Sequence, residues 1–94
     1  MQLRNTSKLM NSKNYKERFL AEYFQLKIRI EKLEEFLVKY KNNELEFTPD
    51  CSYDLLDTQL YIMKNYLEVL TERAKIENIS LEEPNVRVEK EIMG

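Results

Sequence analysis

The sequence predicts an all-α protein: an antiparallel two-helix hairpin with ordered tails, assembling as a homo-oligomeric helical bundle. Two runs of apolar residues recur at alternating spacings of four and three, separated by a short connector that contains proline. A repeat sustained over three heptads is typical of a long amphipathic helix. Each run is accompanied by apolar residues that one partner helix cannot cover. Because a hairpin of 94 residues buries little apolar surface alone, we expect it to pair with copies of itself.

The first helix is predicted over residues 15–41. Asn14 can accept hydrogen bonds from the free amides at the helix start, and Glu17 follows three residues later, as in a capping box. Asn42 and Asn43 favour the helix end, because Asn tolerates the left-handed conformation found there. The main apolar seam comprises Phe19, Tyr23, Leu26, Ile30, Leu33, Leu37 and Tyr40. A second face, roughly 100 to 180 degrees around the helix, is predicted to remain for another subunit and comprises Leu20, Phe24 and Ile28.

The connector, residues 42–51, is predicted to be an ordered corner rather than a flexible loop. Pro49 cannot continue a helix and disfavours helix at Thr48, so this part is expected to be extended. Leu45 and Phe47 alternate with acidic residues. We therefore expect these two side chains to fold back and cover the end of the hairpin.

The second helix is predicted over residues 52–78, with Asp50 or Ser52 as the capping residue. Its main apolar seam comprises Leu56, Leu60, Met63, Leu67, Leu70 and Ala74. An adjacent seam, one residue earlier, comprises Leu55, Gln59, Ile62, Tyr66, Val69, Arg73 and Ile76. Two adjacent seams form a face wider than a hairpin contact uses, which favours an oligomer.

The hairpin domain is expected to span residues 14–79, between two arms. Residues 1–13 form a polar N-terminal arm, and residues 80–94 form a C-terminal arm in which Val86 and Val88 hint at a short strand. Polar tails of this kind are ordered only when they contact another element or subunit, so ordered tails also favour assembly.

Composition excludes most enzyme classes and several partners. The chain has no histidine, one cysteine and one glycine, so we expect no catalytic residues, no metal site and no cofactor. Acidic and basic residues, 17 and 15, are mixed along the chain, which lacks the basic block of a protein that binds DNA or RNA duplexes. There is no apolar run of about 18 residues for a membrane span, and no signal peptide, so the expected location is the cytoplasm.

Polar residues within the helical seams are candidates for ligand binding. Gln59, Tyr66 and Arg73 recur every seven residues and interrupt an apolar seam. They either set the register of an oligomer or line a pocket between subunits, where Arg would hold a phosphate and Tyr would stack on a base. A charged run along the first helix either supports helix pairing or presents cations to an anion; it comprises Arg18, Glu22, Gln25, Arg29 and Lys32.

The two helices and the corner together resemble a family of small phage and prophage proteins, including those related to crAss phages. In that family an E-Y-x-x-L-x-x-R-x-x-K-L helix precedes an F-T-P-x-C corner and an L-L-x-x-Q-L-x-x-M-x-x-Y-L helix. The resemblance covers about residues 15–81, and the matching residues are Glu22, Tyr23, Leu26, Phe47, Thr48, Pro49, Cys51, Leu55, Leu56, Gln59, Met63, Tyr66, Leu67, Arg73 and Ala74. Arg29, Lys32 and Leu33 keep the R-x-x-K-L spacing, although Ile30 makes the helix more apolar than the family pattern.

These proteins are similar in build to phage anti-defence sponges, which trap nucleotide immune signals without cleaving them. The resemblance implies a non-enzymatic oligomer in the host bacterial cytoplasm. Its ligand would be a cyclic ADP-ribose isomer or a cyclic oligonucleotide of Thoeris- or CBASS-type systems. The alternative is a helical protein–protein interaction module of a phage or prophage. On side-chain chemistry, the predicted pocket comprises Arg18, Tyr23, Arg29, Phe47, Thr48, Gln59, Tyr66 and Arg73.

Overall fold

A computed structural model describes residues 14–82 of the chain and contains two α-helices. Helix α1 spans Tyr15–Lys41 and helix α2 spans Tyr53–Ile76. The start of α1 contacts the end of α2, so the helices run antiparallel. No strand occurs between residues 14 and 82, in agreement with the predicted all-α hairpin. The two arms lie outside the described residues, apart from positions 80–82.

Both helices begin at the side-chain caps that the sequence indicates. The Asn14 Oδ1 atom accepts hydrogen bonds from the amides of Lys16 and Glu17, at 2.8 and 3.4 Å. The Ser52 hydroxyl accepts from the Leu55 amide at 3.1 Å, so Ser52 rather than Asp50 caps α2. These bonds satisfy amides that have no partner within the helix.

Both helices end in the same way, with Asn in the left-handed conformation. Asn43 and Asn78 each have φ near 57°. The amide of the following residue reaches back to the helix, and the Ile79 amide donates to the Ala74 carbonyl at 2.9 Å. This arrangement is the Schellman motif. At the end of α2, the motif stops the helix two residues earlier than predicted. It also directs the chain so that Ile79 packs on the core, where it is 7% exposed.

The core forms between the two main seams. Its buried members from these seams are Phe19, Tyr23, Leu26, Ile30, Leu37, Leu60, Leu70 and Ala74. Leu33, Leu56, Met63 and Leu67 are half-buried and pack against it. Both predicted seams are therefore confirmed as the faces that join the helices.

The prediction of a second free face on α1 is wrong at its centre. Phe24 is 1% exposed and belongs to the core, with Tyr23 edge-to-face against it at a centroid distance of 5.1 Å. Leu20 and Ile28 are half-buried. Ile79 and Leu81, which follow α2, join the same apolar cluster. The core thus includes chain beyond the two helices, which a two-helix description leaves out.

The corner is held by aromatic contacts. The Tyr40 hydroxyl donates to the Cys51 carbonyl at 3.2 Å, and its ring lies edge-to-face on Tyr53 at 5.7 Å. The Phe47 ring lies 6.2 Å from that of Phe36, yet Phe47 remains 61% exposed. The expected covering of the hairpin end by Phe47 is therefore only partial, because the ring rests on one edge of α1.

Candidate functional site

One side of the hairpin, here called the flank, carries most of the predicted binding residues. It consists of two parallel rows of side chains, one on each helix. The α1 row comprises Tyr15, Arg18, Glu22, Gln25, Arg29, Lys32 and Phe36. The α2 row comprises Leu55, Gln59, Ile62, Tyr66, Val69, Arg73 and Ile76.

Two contacts between the helices set the register of the flank. The Arg73 Nη2 atom donates to the Tyr15 hydroxyl at 2.8 Å, and the Tyr66 hydroxyl donates to the Glu22 carboxylate. A step of seven residues toward the C-terminus of α1 therefore matches a step of seven residues toward the N-terminus of α2, as expected for antiparallel heptads. The next step of this register places Arg29 at the level of Gln59.

The end of the flank away from the corner is a closed network of three polar groups. The Tyr15 hydroxyl donates to Glu77 Oε1 at 2.6 Å, and Arg73 Nε donates to Glu77 Oε2 at 3.2 Å. The hydrogen bond with Glu77 raises the pKa of Tyr15, and the same bond lowers the pKa of Glu77. The hydrogen bond with Glu77 also raises the pKa of Arg73. Tyr15 and Glu77 were not predicted as site residues, because heptad spacing repeats every seven residues and does not select a pairing register.

The corner half of the flank presents two cations, Arg29 and Lys32, that form no ion pair with the residues the structure describes. Arg29 and Lys32 are exposed and stand three residues apart, so their side chains share one face of α1. Within residues 14–82 neither makes an ion pair, and Gln59 opposite Arg29 is also exposed and without a hydrogen bond. A phosphate group at this place would meet one guanidinium, one ammonium and one amide.

The α2 row also contributes a set of exposed apolar side chains. Leu55, Ile62, Val69 and Ile76 are 59, 61, 54 and 79% exposed. They recur every seven residues and none belongs to the core cluster. The prediction that α2 has a second seam left over from the hairpin contact is confirmed for these four apolar residues, whereas Tyr66 and Arg73 of that seam hydrogen-bond α1.

The eight predicted pocket residues do not converge within one chain. Tyr23 lies in the core at 9% exposure, so its ring is not available to stack on a base. Phe47 and Thr48 lie at the corner, and Arg73 lies 20 residues along α2 from its first residue, about 30 Å away. Arg18, Arg29, Gln59 and Tyr66 occupy the flank between these ends.

A separate groove of about 310 Å³ lies near the corner, between other parts of the two helices. Its lining includes Glu34, Lys41, Tyr53 and Asp57, and none of the predicted pocket residues. Lys64 pairs with Glu34 at 2.8 Å. Two carboxylates against one lysine in its wall make this groove unfavourable for an anion.

Between residues 14 and 82, no cluster of histidine, cysteine or acidic side chains has the arrangement of a metal site. Neither of the two helices there has the length and apolarity that crossing a bilayer requires.

Comparison with known proteins identifies a family but no individual relative. No curated protein and no solved structure matches the chain. The profile of one protein family, described as Sequestin, matches residues 13–76, which include both helices and the corner. The family name, Sequestin, agrees with the sponge type of anti-defence protein that the resemblance in the sequence implies. The match does not include a link to crAss phages. On this match over more than half its length, the chain belongs to the Sequestin family.

Proposed function

We propose that this protein is a phage anti-defence sponge. It binds a nucleotide immune signal in the host cytoplasm and holds it without cleaving it. The observation that carries the proposal is the flank of a Sequestin family hairpin, where Arg29 and Lys32 stand exposed near the level of Gln59, two helical turns from Tyr66. These groups supply charge, hydrogen bonding and an aromatic face within one stretch of surface.

Phosphate groups are the part of the ligand that the flank suits best. A guanidinium donates two parallel hydrogen bonds to phosphate oxygens, and a lysine adds a point charge. The protein carries a net charge of −2, so binding depends on these local cations rather than on the overall field. Arg29 and Lys32 meet this need directly, whereas Arg73 shares its charge with Glu77.

The base and ribose are assigned to the remaining residues. Tyr66, 42% exposed, presents its ring along the flank, and Phe47 presents a second ring at the corner. In a pocket shared between subunits, Gln59 and Thr48 would bond base edges or ribose hydroxyls, while Arg18 and Arg73 would add contacts to phosphate. This combination fits a cyclic ADP-ribose isomer or a cyclic oligonucleotide, the signals of Thoeris- and CBASS-type systems.

The exposed apolar side chains of α2 favour a second candidate, a non-enzymatic protein–protein interaction module of a phage or prophage. Leu55, Ile62, Val69 and Ile76 would dock on a groove of the partner as an amphipathic helix does. In that case the cations of the flank would steer the encounter rather than bind a nucleotide.

Native mass spectrometry separates the two candidates. The purified protein is measured alone and with a pool of cyclic dinucleotides, cyclic trinucleotides and ADP-ribose isomers. A sponge gains the mass of one pool member and releases it unchanged on denaturation. A protein that gains no mass from this pool contradicts the proposal and favours the interaction module, and a ligand released as fragments indicates an enzyme.

A further inference from the structure

The α2 row of the flank divides into two columns of opposite character. The polar column comprises Gln59, Tyr66 and Arg73, and the apolar column comprises Leu55, Ile62, Val69 and Ile76. The two columns alternate as the two core positions of a heptad repeat do. They run for three heptads, or about 32 Å along α2, which is the length of an ordinary helix–helix seam.

The polar column lies on the side of α2 that faces α1. Tyr66 reaches Glu22 and Arg73 reaches Tyr15, while no member of the apolar column belongs to the core. The apolar column is therefore turned further from α1 and stays uncovered in the single chain. A helix that packs on both columns would bury the apolar one and leave the polar one beside α1.

We infer that the occupant is α2 of a second copy, antiparallel, around a two-fold axis near Tyr66. This inference rests on the proposed function and places its ligand in the cleft between the copies. The α2 row is symmetric about Tyr66, because apolar and polar positions alternate in the same order in both directions from that residue. A two-fold axis perpendicular to the helices keeps each column on the same side in both copies. Apolar side chains then meet apolar ones, and the polar columns line one shared cleft.

The direction of pairing follows from the charges. In a parallel pair, Arg73 would lie level with the partner's Arg73, and like charges at an interface are unfavourable. In the antiparallel pair, Arg73 lies near the level of the partner's Gln59, which can accept a hydrogen bond. The pattern thus favours the antiparallel arrangement over the parallel one.

The second copy completes the anion site. Arg29 shares a level with Gln59 in its own chain, and the antiparallel pair brings the partner's Arg73 to that level. Each site then holds guanidinium groups from two chains, with Lys32 nearby. Two such sites are related by the two-fold axis and lie about 20 Å apart along α2.

A ligand with two phosphates matches this site. One phosphate binds Arg29, and the other binds the partner's Arg73. Arg73 uses Nε and Nη2 in its network with Glu77 and Tyr15, so its Nη1 group remains a donor. Its ion pair with Glu77 is solvent-exposed, and such pairs rearrange at little cost. The site therefore takes a nucleotide ligand whose two phosphate groups are bound by two different subunits.

Cross-linking tests the assembly without any ligand. The exposed Cys51 is first replaced by serine, and single cysteines are then introduced by Tyr66→Cys or Leu55→Cys. Mild oxidation is expected to yield a disulfide-linked dimer for Tyr66→Cys, which lies at the axis. Leu55→Cys is expected to stay uncross-linked, because its copies lie about 32 Å apart. Circular dichroism checks that both variants keep their helices.

A heterodimer of two defective chains tests the shared site. Arg29→Ala and Arg73→Ala are each expected to weaken nucleotide binding roughly 10- to 100-fold as homodimers, which leaves most of their sites empty at a ligand concentration that fills the wild type. When the two are co-expressed with different tags and purified as a heterodimer, one site regains both arginines. Native mass spectrometry is expected to show one nucleotide per heterodimer, against two per wild-type dimer.

The possible failures are distinguishable. A monomeric wild type, or cross-linking of Leu55→Cys, overturns the antiparallel pairing. A heterodimer that binds nothing while the wild type binds nucleotide overturns the shared site and leaves the proposed function standing. A wild type with the expected cross-links but no bound nucleotide overturns the ligand site together with the proposed function.

Discussion

The guanidinium of Arg73 lies 5.0 Å from the centroid of the Phe19 ring, and this contact joins the end of α2 to the start of α1. A cation over an aromatic face is attracted by the negative charge of the ring face. Phe19 is 3% exposed, so the contact also shields one edge of the core. On its outer side, Arg73 bonds Tyr15 and Glu77. Arg73 therefore both closes the hairpin and stands at the end of the flank.

The first prediction concerns stability at acidic pH. Because its hydrogen bond from Tyr15 lowers the pKa of Glu77 below the ordinary 4.5, the folded state favours the carboxylate. This stabilisation is present above pH 4.5 and is lost as the pH falls through the lower folded-state pKa. The difference in free energy of unfolding between wild type and Glu77→Gln should narrow over that range, as measured by urea denaturation. If the difference in free energy of unfolding between the two proteins stays constant below pH 4.5, the prediction is wrong.

The second prediction concerns the alkaline side of the same network. The hydrogen bond to Glu77 raises the pKa of Tyr15 above 10.0, so the folded state holds this proton more tightly than the unfolded state. The stabilisation is present below pH 10.0 and is lost as the pH rises through the raised pKa. Tyr15→Phe removes the titrating group, so its stability should approach that of wild type above pH 10.0. Tyr61→Phe serves as the control, since Tyr61 is 68% exposed.

A third prediction concerns the core. Leu70 is 0% exposed, so Leu70→Ala leaves a cavity where the helices meet. The variant should lose about 3 kcal/mol of unfolding free energy, within the range observed for buried leucines. Val38→Ala, at a position 59% exposed, should change stability by no more than about 0.5 kcal/mol. Equal losses in the two variants, measured by chemical denaturation, would contradict this core.

The end of α1 offers a matched pair of asparagines for the fourth prediction. Asn43 has φ of 57°, and its neighbour Asn42 has φ of −90°. Alanine is disfavoured at positive φ by about 1 kcal/mol, so Asn43→Ala should destabilise the protein while Asn43→Gly should not. Asn42→Ala should be nearly neutral. Urea denaturation of the three variants measures the differences, and an equal effect of both alanine substitutions would rule out the left-handed helix end.

Local signals in the sequence were sufficient to predict the hairpin. Helix α1 begins just after Asn14 and ends at the turn that contains Asn43, as predicted, because helix capping depends on side chains within a few positions. Asn78 ends α2 by the same chemistry as Asn43, so the earlier end of α2 was also readable from the sequence. The heptad seams predicted the buried faces, since burial on a helix follows its period.

Long-range features could not be predicted in this way. Phe24 is buried in a core that also includes Ile79, and nothing in the spacing of α1 alone indicates that contribution. The pairing of Tyr15 with Arg73 depends on the register, which a seven-residue repeat leaves open to shifts by whole heptads. The candidate site was therefore predicted by residue type, whereas its arrangement along one flank required the structure.

The last prediction concerns nucleotide binding at the corner half of the flank. Arg29→Ala removes a guanidinium that has no partner among residues 14–82, so it should leave the fold intact and weaken capture. Hydrogen bonds to charged groups contribute about 1.5–3 kcal/mol, which corresponds to roughly a 10- to 100-fold loss in affinity. Isothermal titration with the nucleotide identified by native mass spectrometry measures the change.

Lys27→Ala is the matched control, because Lys27 is also an exposed cation of α1 but lies outside the flank. Both variants lose one positive charge, so a general electrostatic effect would weaken binding equally in each. A specific contact weakens binding only in Arg29→Ala, and the loss persists at high salt, where attraction between distant exposed charges is screened. Similar affinities for the two variants would exclude Arg29 from the site and move the phosphate contact to another cation of the flank.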